Sequence, residues 1–181
     1  MLQAEIGSAR VTEAKGFPTR GHLMPDFALP SSDGRQVSLY DYRGRSNLVR
    51  LFAARTKDST DSLLLGALAK RYREIAETDS EVVAVLAESV AQADEFRRKM
   101  HFPFPVLSDR DMKVHNMVGA CGAQAVPAAA LYITDRFLEV FAMWRTGTGD
   151  VLPDISDVLS WLTYLDSQCP ECTQIEWSAD D

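Results

Sequence analysis

Apolar positions along the chain fall into short runs of two different periods. Phe27-Ala28-Leu29 and the alternating Arg35-Gln36-Val37-Ser38-Leu39 flank Asp33-Gly34, and two short extended runs about an Asp-Gly turn predict a β-hairpin. Asn47 to Ala53 and Glu81 to Leu86 are nearly continuous apolar runs, the pattern of strands buried on both faces. Asp58-Ser59-Thr60-Asp61 then supplies helix-capping side chains, and Leu64, Leu68, Tyr72 and Ile75 follow at near-helical spacing. Ser89 caps a predicted helix over Val90 to Met100, which Phe102-Pro103-Phe104-Pro105 ends. Val106-Leu107 predicts a short strand and Asp109 to Met117 a short helix with His115 on its surface. Ala130 to Thr134 and Phe137 to Trp144 predict two strands joined tightly through Asp135-Arg136. After a loop from Gly147 to Pro153, Asp154 to Asp166 predicts a last helix carrying Ile155, Val158, Leu159 and Leu162.

Strands alternating with helices imply parallel pairing, and the late strand pair adds antiparallel strands. The expected fold is α/β, with a mixed central sheet, helices on both of its faces, and an N-terminal β-hairpin. Residues 1–20 form a polar arm, 21–168 one domain, and 169–181 an acidic tail. No repeat is evident.

Composition narrows the function classes. With 181 residues, 46% apolar and 25% charged, the chain can bury a full core and is not a disordered tract. Acidic residues number 26 against 19 Lys plus Arg, a net charge of −7, which repels phosphate backbones and argues against nucleic acid. The Arg97-Arg98-Lys99 run reads as a solvated helix face. No apolar stretch is long enough for a membrane span, and the first residues lack a basic segment followed by an apolar one. The expected location is cytoplasmic, without membrane association.

Gly21-His22-Leu23-Met24-Pro25-Asp26-Phe27-Ala28-Leu29 is similar to the G-x-x-x-P-D-F-x-L opening of the peroxiredoxins, the alkyl hydroperoxide reductase and thiol-specific antioxidant family. Phe104-Pro105-Val106-Leu107-Ser108-Asp109 resembles that family's F-P-x-L-x-D segment, and Leu131-Tyr132-Ile133-Thr134-Asp135 its late F-x-I-D strand. The ending Gln168-Cys169-Pro170-Glu171-Cys172, with Glu176-Trp177 beyond it, resembles that of a bacterial peroxiredoxin-like subgroup. The resemblance spans residues 21 to 166 and implies a thioredoxin-like fold. It further implies an antioxidant thiol oxidoreductase acting on a peroxide or on a protein disulfide or thiol partner, without a cofactor, as a homodimer.

The family carries its peroxide-attacking cysteine in Pro-x-x-x-Thr-x-x-Cys, at the first turn of the helix after the strand at Leu48 to Ala53. A helix N-terminus and nearby cations lower a thiol pKa there. In this chain Phe52 takes the proline place, Thr56 the threonine place and Ser59 the cysteine place; a second alignment puts Asp58 and Asp61 at the positions of a Cys-x-x-Cys pair. In either alignment the nucleophile is absent, so Thr56, Asp58, Ser59 and Asp61 mark a degenerate site. The family's arginine would fall near Ala129, and the charges of Arg55 and Lys57 are opposed by Asp58 and Asp61. Pro127 is either the cis-proline that faces this turn in thioredoxin-like folds or an ordinary trans loop proline.

Three cysteines remain as candidates for catalysis: Cys169, Cys172 and Cys121. Cys169-Pro-Glu-Cys172 supports a dithiol–disulfide couple, half of a zinc site, or an inert exposed pair. It follows a helix C-terminus, where the dipole together with Asp166, Glu171 and Glu176 disfavours thiolate. Zinc needs four ligands, and His22, His101, His115 and Cys121 lack ligand spacing, so only a two-fold dimer would complete a site. Cys121, among Gly119, Ala120, Gly122 and Ala123, reads as a buried inert thiol, or as a partner for Cys169 or Cys172 if its loop faces the turn at Asp58 to Asp61. Two functions follow. One is a thiol oxidoreductase working through Cys169 and Cys172. The other is a catalytically inactive binding or regulatory module, a dimer stapled through the tail by a disulfide or by zinc.

Overall fold

The computed structural model describes residues 16–53 and 60–168. The predicted hairpin is present as β1 (Ala28–Pro30) and β2 (Gln36–Ser38), paired antiparallel. Gly34 sits at φ +83° in its turn, a conformation that a side chain resists. The central sheet has the order β5-β4-β3-β6-β7, with β3 (Asn47–Ala53), β4 (Ser80–Leu86), β5 (Val106–Ser108), β6 (Ala130–Thr134) and β7 (Val140–Arg145). β3, β4 and β5 run parallel, while β6 is antiparallel to β3 and β7 to β6. Bridges Ser31–Leu107 and Leu23–Glu139 extend the two edges.

Burial on both faces explains the continuous apolar runs. Val49, Leu51 and Ala53 of β3 join a core closed by α1 (Thr60–Lys70), α2 (Tyr72–Ala76), α3 (Val90–Met100) and α5 (Ile155–Ser167). Leu48 and Phe52 join a second core with Phe27, Leu29 and Leu39, closed by Val114 and Val118 at α4 (Lys113–Met117). The ends of α3 show why it matches its expected span. Ser89 and Gln92 form a capping box, and left-handed His101 closes a Schellman turn in which Phe102 N–H bonds Arg97 O.

Three boundaries differ from the sequence expectation. The helix after Asp61 breaks at Arg71, which leaves helical geometry (φ −103°, ψ 11°) and pairs with Glu74. The helix expected from Asp109 begins only at Lys113, because Asp109 to Met112 closes a turn and the Asp109 carboxylate takes the His115 N–H at 2.7 Å. The last strand begins at Val140 rather than Phe137, because Asp135 Oδ1 accepts from the N–H groups of both Phe137 and Glu139 and bends the chain through Leu138 at φ +73°.

Candidate active site

Parallel pairing brings the end of β3 to the side of the sheet where α1 starts. Of the degenerate-site residues, Thr56, Asp58 and Ser59 lie outside the described residues, as do Cys169 and Cys172. Asp61 is described: it is buried in the first turn of α1, where a carboxylate complements the helix dipole.

Cys121 lies on the hairpin-like loop that precedes β6. Cys121 bridges Pro127, Ala128 N–H bonds Ala120 O at 3.0 Å, and Gly122 N–H bonds Val126 O at 2.9 Å. Pro127 is trans, as an ordinary loop proline is. The Cys121 thiol is half-buried and donates to Asn116 Oδ1 at 3.2 Å. Burial, and then the Asp109 charge, push its pKa up, so it is a thiol and not a thiolate at neutral pH. Gly147 packs against the Cys121 carbonyl so closely that a Cβ there would overlap it.

Ala129, the place where the resemblance expects an arginine, is buried and tied through its backbone to Thr146, with Thr146 Oγ1 accepting its N–H at 3.0 Å. A cation stands nearby on another strand. Phe52, Ala130 and Arg145 are in register across β3, β6 and β7, so Arg145 projects on the same face as Phe52. Its guanidinium lies 5.3 Å over the Phe17 ring, and its Nε is buried without an acceptor among the described residues. Phe17 also packs under Gly119, whose φ of +72° and lack of a Cβ leave room for the ring.

Two further polar groups lie under α4. His115, expected on a helix surface, is fully buried: its Nδ1 shares a 2.7 Å hydrogen bond with Asp109, and its ring stands edge-on to Phe52 at 5.6 Å. Burial alone would raise the Asp109 carboxyl, but hydrogen bonds from the His115 ring and backbone hold it below its ordinary value. With His115 fully buried and Asp109 only 3% exposed, this pair is a structural clasp for the start of α4. Arg50 is also fully buried, between Leu48 and Phe52, and none of its guanidinium nitrogens meets an acceptor among the described residues. Tyr132 stands opposite Arg50 in register and donates to Val118 O at 2.5 Å; burial pushes its phenol up to about 12 against the lowering influence of Arg145 and Arg50.

Reasoning from sequence missed Arg50, Arg145 and the Asp109–His115 pair. A signal for Arg50 was present, since a charged residue inside an apolar run of a central parallel strand must be buried. Among the described residues no cluster of three or more His, Cys, Asp or Glu could hold a metal.

A sequence profile of the AhpC/TSA family matches residues 20–142. A chloroplastic peroxiredoxin Q of Oryza sativa subsp. japonica is 30% identical over 125 residues, covering 67% of this chain and 56% of the relative. One from Sedum lineare is 30% identical over 122 residues, covering 65% and 64%. The chain thus spans less than two thirds of the length of either relative. Peroxidoxin BcpB of Mycobacterium tuberculosis superposes with a TM-score of 0.73 at 18% identity, covering 82% of this chain and 98% of that one. AhpC of Mycobacterium bovis gives 0.73 at 19% identity, covering 88% and 99%. The mixed five-stranded sheet flanked by helices is similar to peroxiredoxin structures, the fold is thioredoxin-like, and the chain belongs to the AhpC/TSA family.

Proposed function

We propose that the protein is a thiol oxidoreductase that reduces a peroxide, or exchanges with a protein disulfide, through Cys169 and Cys172. Membership of the AhpC/TSA family supports thiol chemistry. The observation that carries the assignment to the tail is the state of Cys121, whose thiol is held protonated by burial and by Asp109. In the peroxide reaction, the minor thiolate fraction of one tail cysteine, the proton having gone to solvent, attacks the distal peroxide oxygen. The O–O bond breaks, the alcohol leaves with a proton, and a sulfenic acid remains. The second thiol displaces water from that sulfur to form the disulfide, and an external dithiol returns both cysteines to thiols as it is oxidised itself. The chain works in the cytoplasm, where thiols are kept reduced. Among the described residues no helix is long and apolar enough to cross a membrane.

A second reading, a non-catalytic binding or regulatory module, is favoured by Ala129 in the arginine position. In that reading the tail staples a homodimer by disulfide or by a shared zinc. Peroxide consumption by the full chain with dithiothreitol separates the two readings. The first expects turnover that survives Cys121→Ser and vanishes in Cys169→Ser/Cys172→Ser. Equal rates in wild type and the double variant reject it. Sizing under reducing conditions and metal analysis then test the stapled dimer, for which zinc below about half an atom per dimer rejects the metal version.

A further inference from the structure

A small cleft of about 140 Å³ opens between the β1–β2 turn and the C-terminal turn of α3, against Pro103, Phe104 and Pro105. It lies at the β5 edge of the sheet, two strands away from β3. Two residues of its lining each carry a buried hydrogen-bond donor with no partner among the described residues. Ser32 is 7% exposed, and its backbone N–H is anchored on Val106 O at 2.8 Å, yet its hydroxyl meets no partner among the described residues. Arg97 is half-buried, with its Nε–H buried and unpartnered. Its neighbour Arg98 pairs with Asp94 at 2.9 Å, whereas Arg97 has no ion pair among the described residues. Asp33, the carboxylate in the lining, is already held by Arg35 at 2.7 Å, so those two charges cancel. The charge left uncompensated is that of Arg97.

Buried polar atoms in folded proteins almost always find a partner, so each orphaned one calls for a physical explanation. Here both orphans are donors, they share one cavity, and the cavity carries net positive charge. We propose that this cleft binds a small oxyanion group, a phosphate or a carboxylate, that accepts from the Ser32 hydroxyl and the Arg97 guanidinium together. A charged acceptor strengthens both bonds relative to water. The site uses no cysteine, so it stands independently of the thiol chemistry above.

The test is an NMR titration of the full, isotope-labelled chain with inorganic phosphate and, separately, with acetate, at constant ionic strength and with chloride as reference. Saturable shifts are expected at the amides of Ser31 to Arg35 and Arg97 to Phe104, with a Kd on the order of 1 mM or tighter. Arg97→Gln and Ser32→Ala should each weaken binding roughly tenfold or more. Thermal unfolding checks that both variants fold, and either one alone suffices to decide. Preference for phosphate identifies a phosphoryl ligand, and preference for acetate a carboxylate. No saturable shift with either anion, shifts equalled by chloride, or unchanged affinity in a folded variant would overturn the proposal.

Discussion

Replacing Arg50 by methionine should make the protein more stable. Arg50 sits mid-strand in β3, fully buried, with all three guanidinium nitrogens unpartnered among the described residues. Burial pulls its pKa down to about 9, with Tyr132 offsetting part of the effect, so the side chain is still a buried cation at pH 7. The fall from the ordinary guanidinium range to about 9 corresponds to roughly 5 kcal/mol at about 1.4 kcal/mol per tenfold. Methionine keeps much of the alkyl stem that packs between Leu48 and Phe52 and discards the charge. Apolar replacement of buried ionic groups gains about 1–4 kcal/mol in other proteins, and the same range is expected here. At this chain length that raises Tm by about 2–4 °C per kcal/mol. Urea unfolding is the assay, with a higher midpoint at an unchanged m-value. The unfolded chain holds the Arg50 proton through the ordinary guanidinium range and the folded one only to about 9. Between those values the unfolded state binds more protons, so this group's contribution to stability rises with pH and the advantage of Arg50→Met shrinks. Destabilisation by more than about 2 kcal/mol at pH 7 would refute the reasoning, because it is the signature of losing one partner of a satisfied buried pair.

Asp109→Asn should cost about 3 kcal/mol by breaking the buried pair with His115. Because the Asp109 carboxyl is held below its unfolded value of 3.8, its contribution is complete above that pH and is lost below it. Thermal unfolding between pH 7 and 3 should therefore show the variant's deficit narrowing at the acid end. Cys121 should react with iodoacetamide more slowly than free cysteine, with a half-point above the free-thiol pKa; a half-point near or below neutrality contradicts its burial beside Asp109. Gly147→Ala should destabilise by about 1–3 kcal/mol through overlap with the Cys121 carbonyl. Gly66→Ala, in α1 with open space around the new methyl, should instead gain up to about 1 kcal/mol, and chemical denaturation compares the two.

Where period and caps agreed, the sequence was a good guide. Asn47 to Ala53 is β3 as expected, and Ser89 with Gln92 opens α3 at Val90. Where a polar side chain captured backbone N–H groups, periodicity misled. Asp109 delays α4 and Asp135 delays β7, because an acceptor that competes with the helix or the ladder leaves no trace in the apolar pattern. His115 looked solvated because an isolated histidine shows no sign of its carboxylate partner, which lies six residues earlier across a turn. Arg145 escaped notice because strand register, not sequence distance, sets it beside Ala130.

The central claim is that the tail cysteines carry the redox chemistry. The most direct test mixes the fully reduced full chain with one equivalent of hydrogen peroxide and maps the product by mass spectrometry. The account predicts loss of two hydrogens located to a Cys169–Cys172 disulfide, formed equally in Cys121→Ser. A chain that stays a dithiol while free cysteine in the same solution is oxidised, or oxidation confined to Cys121, would contradict it.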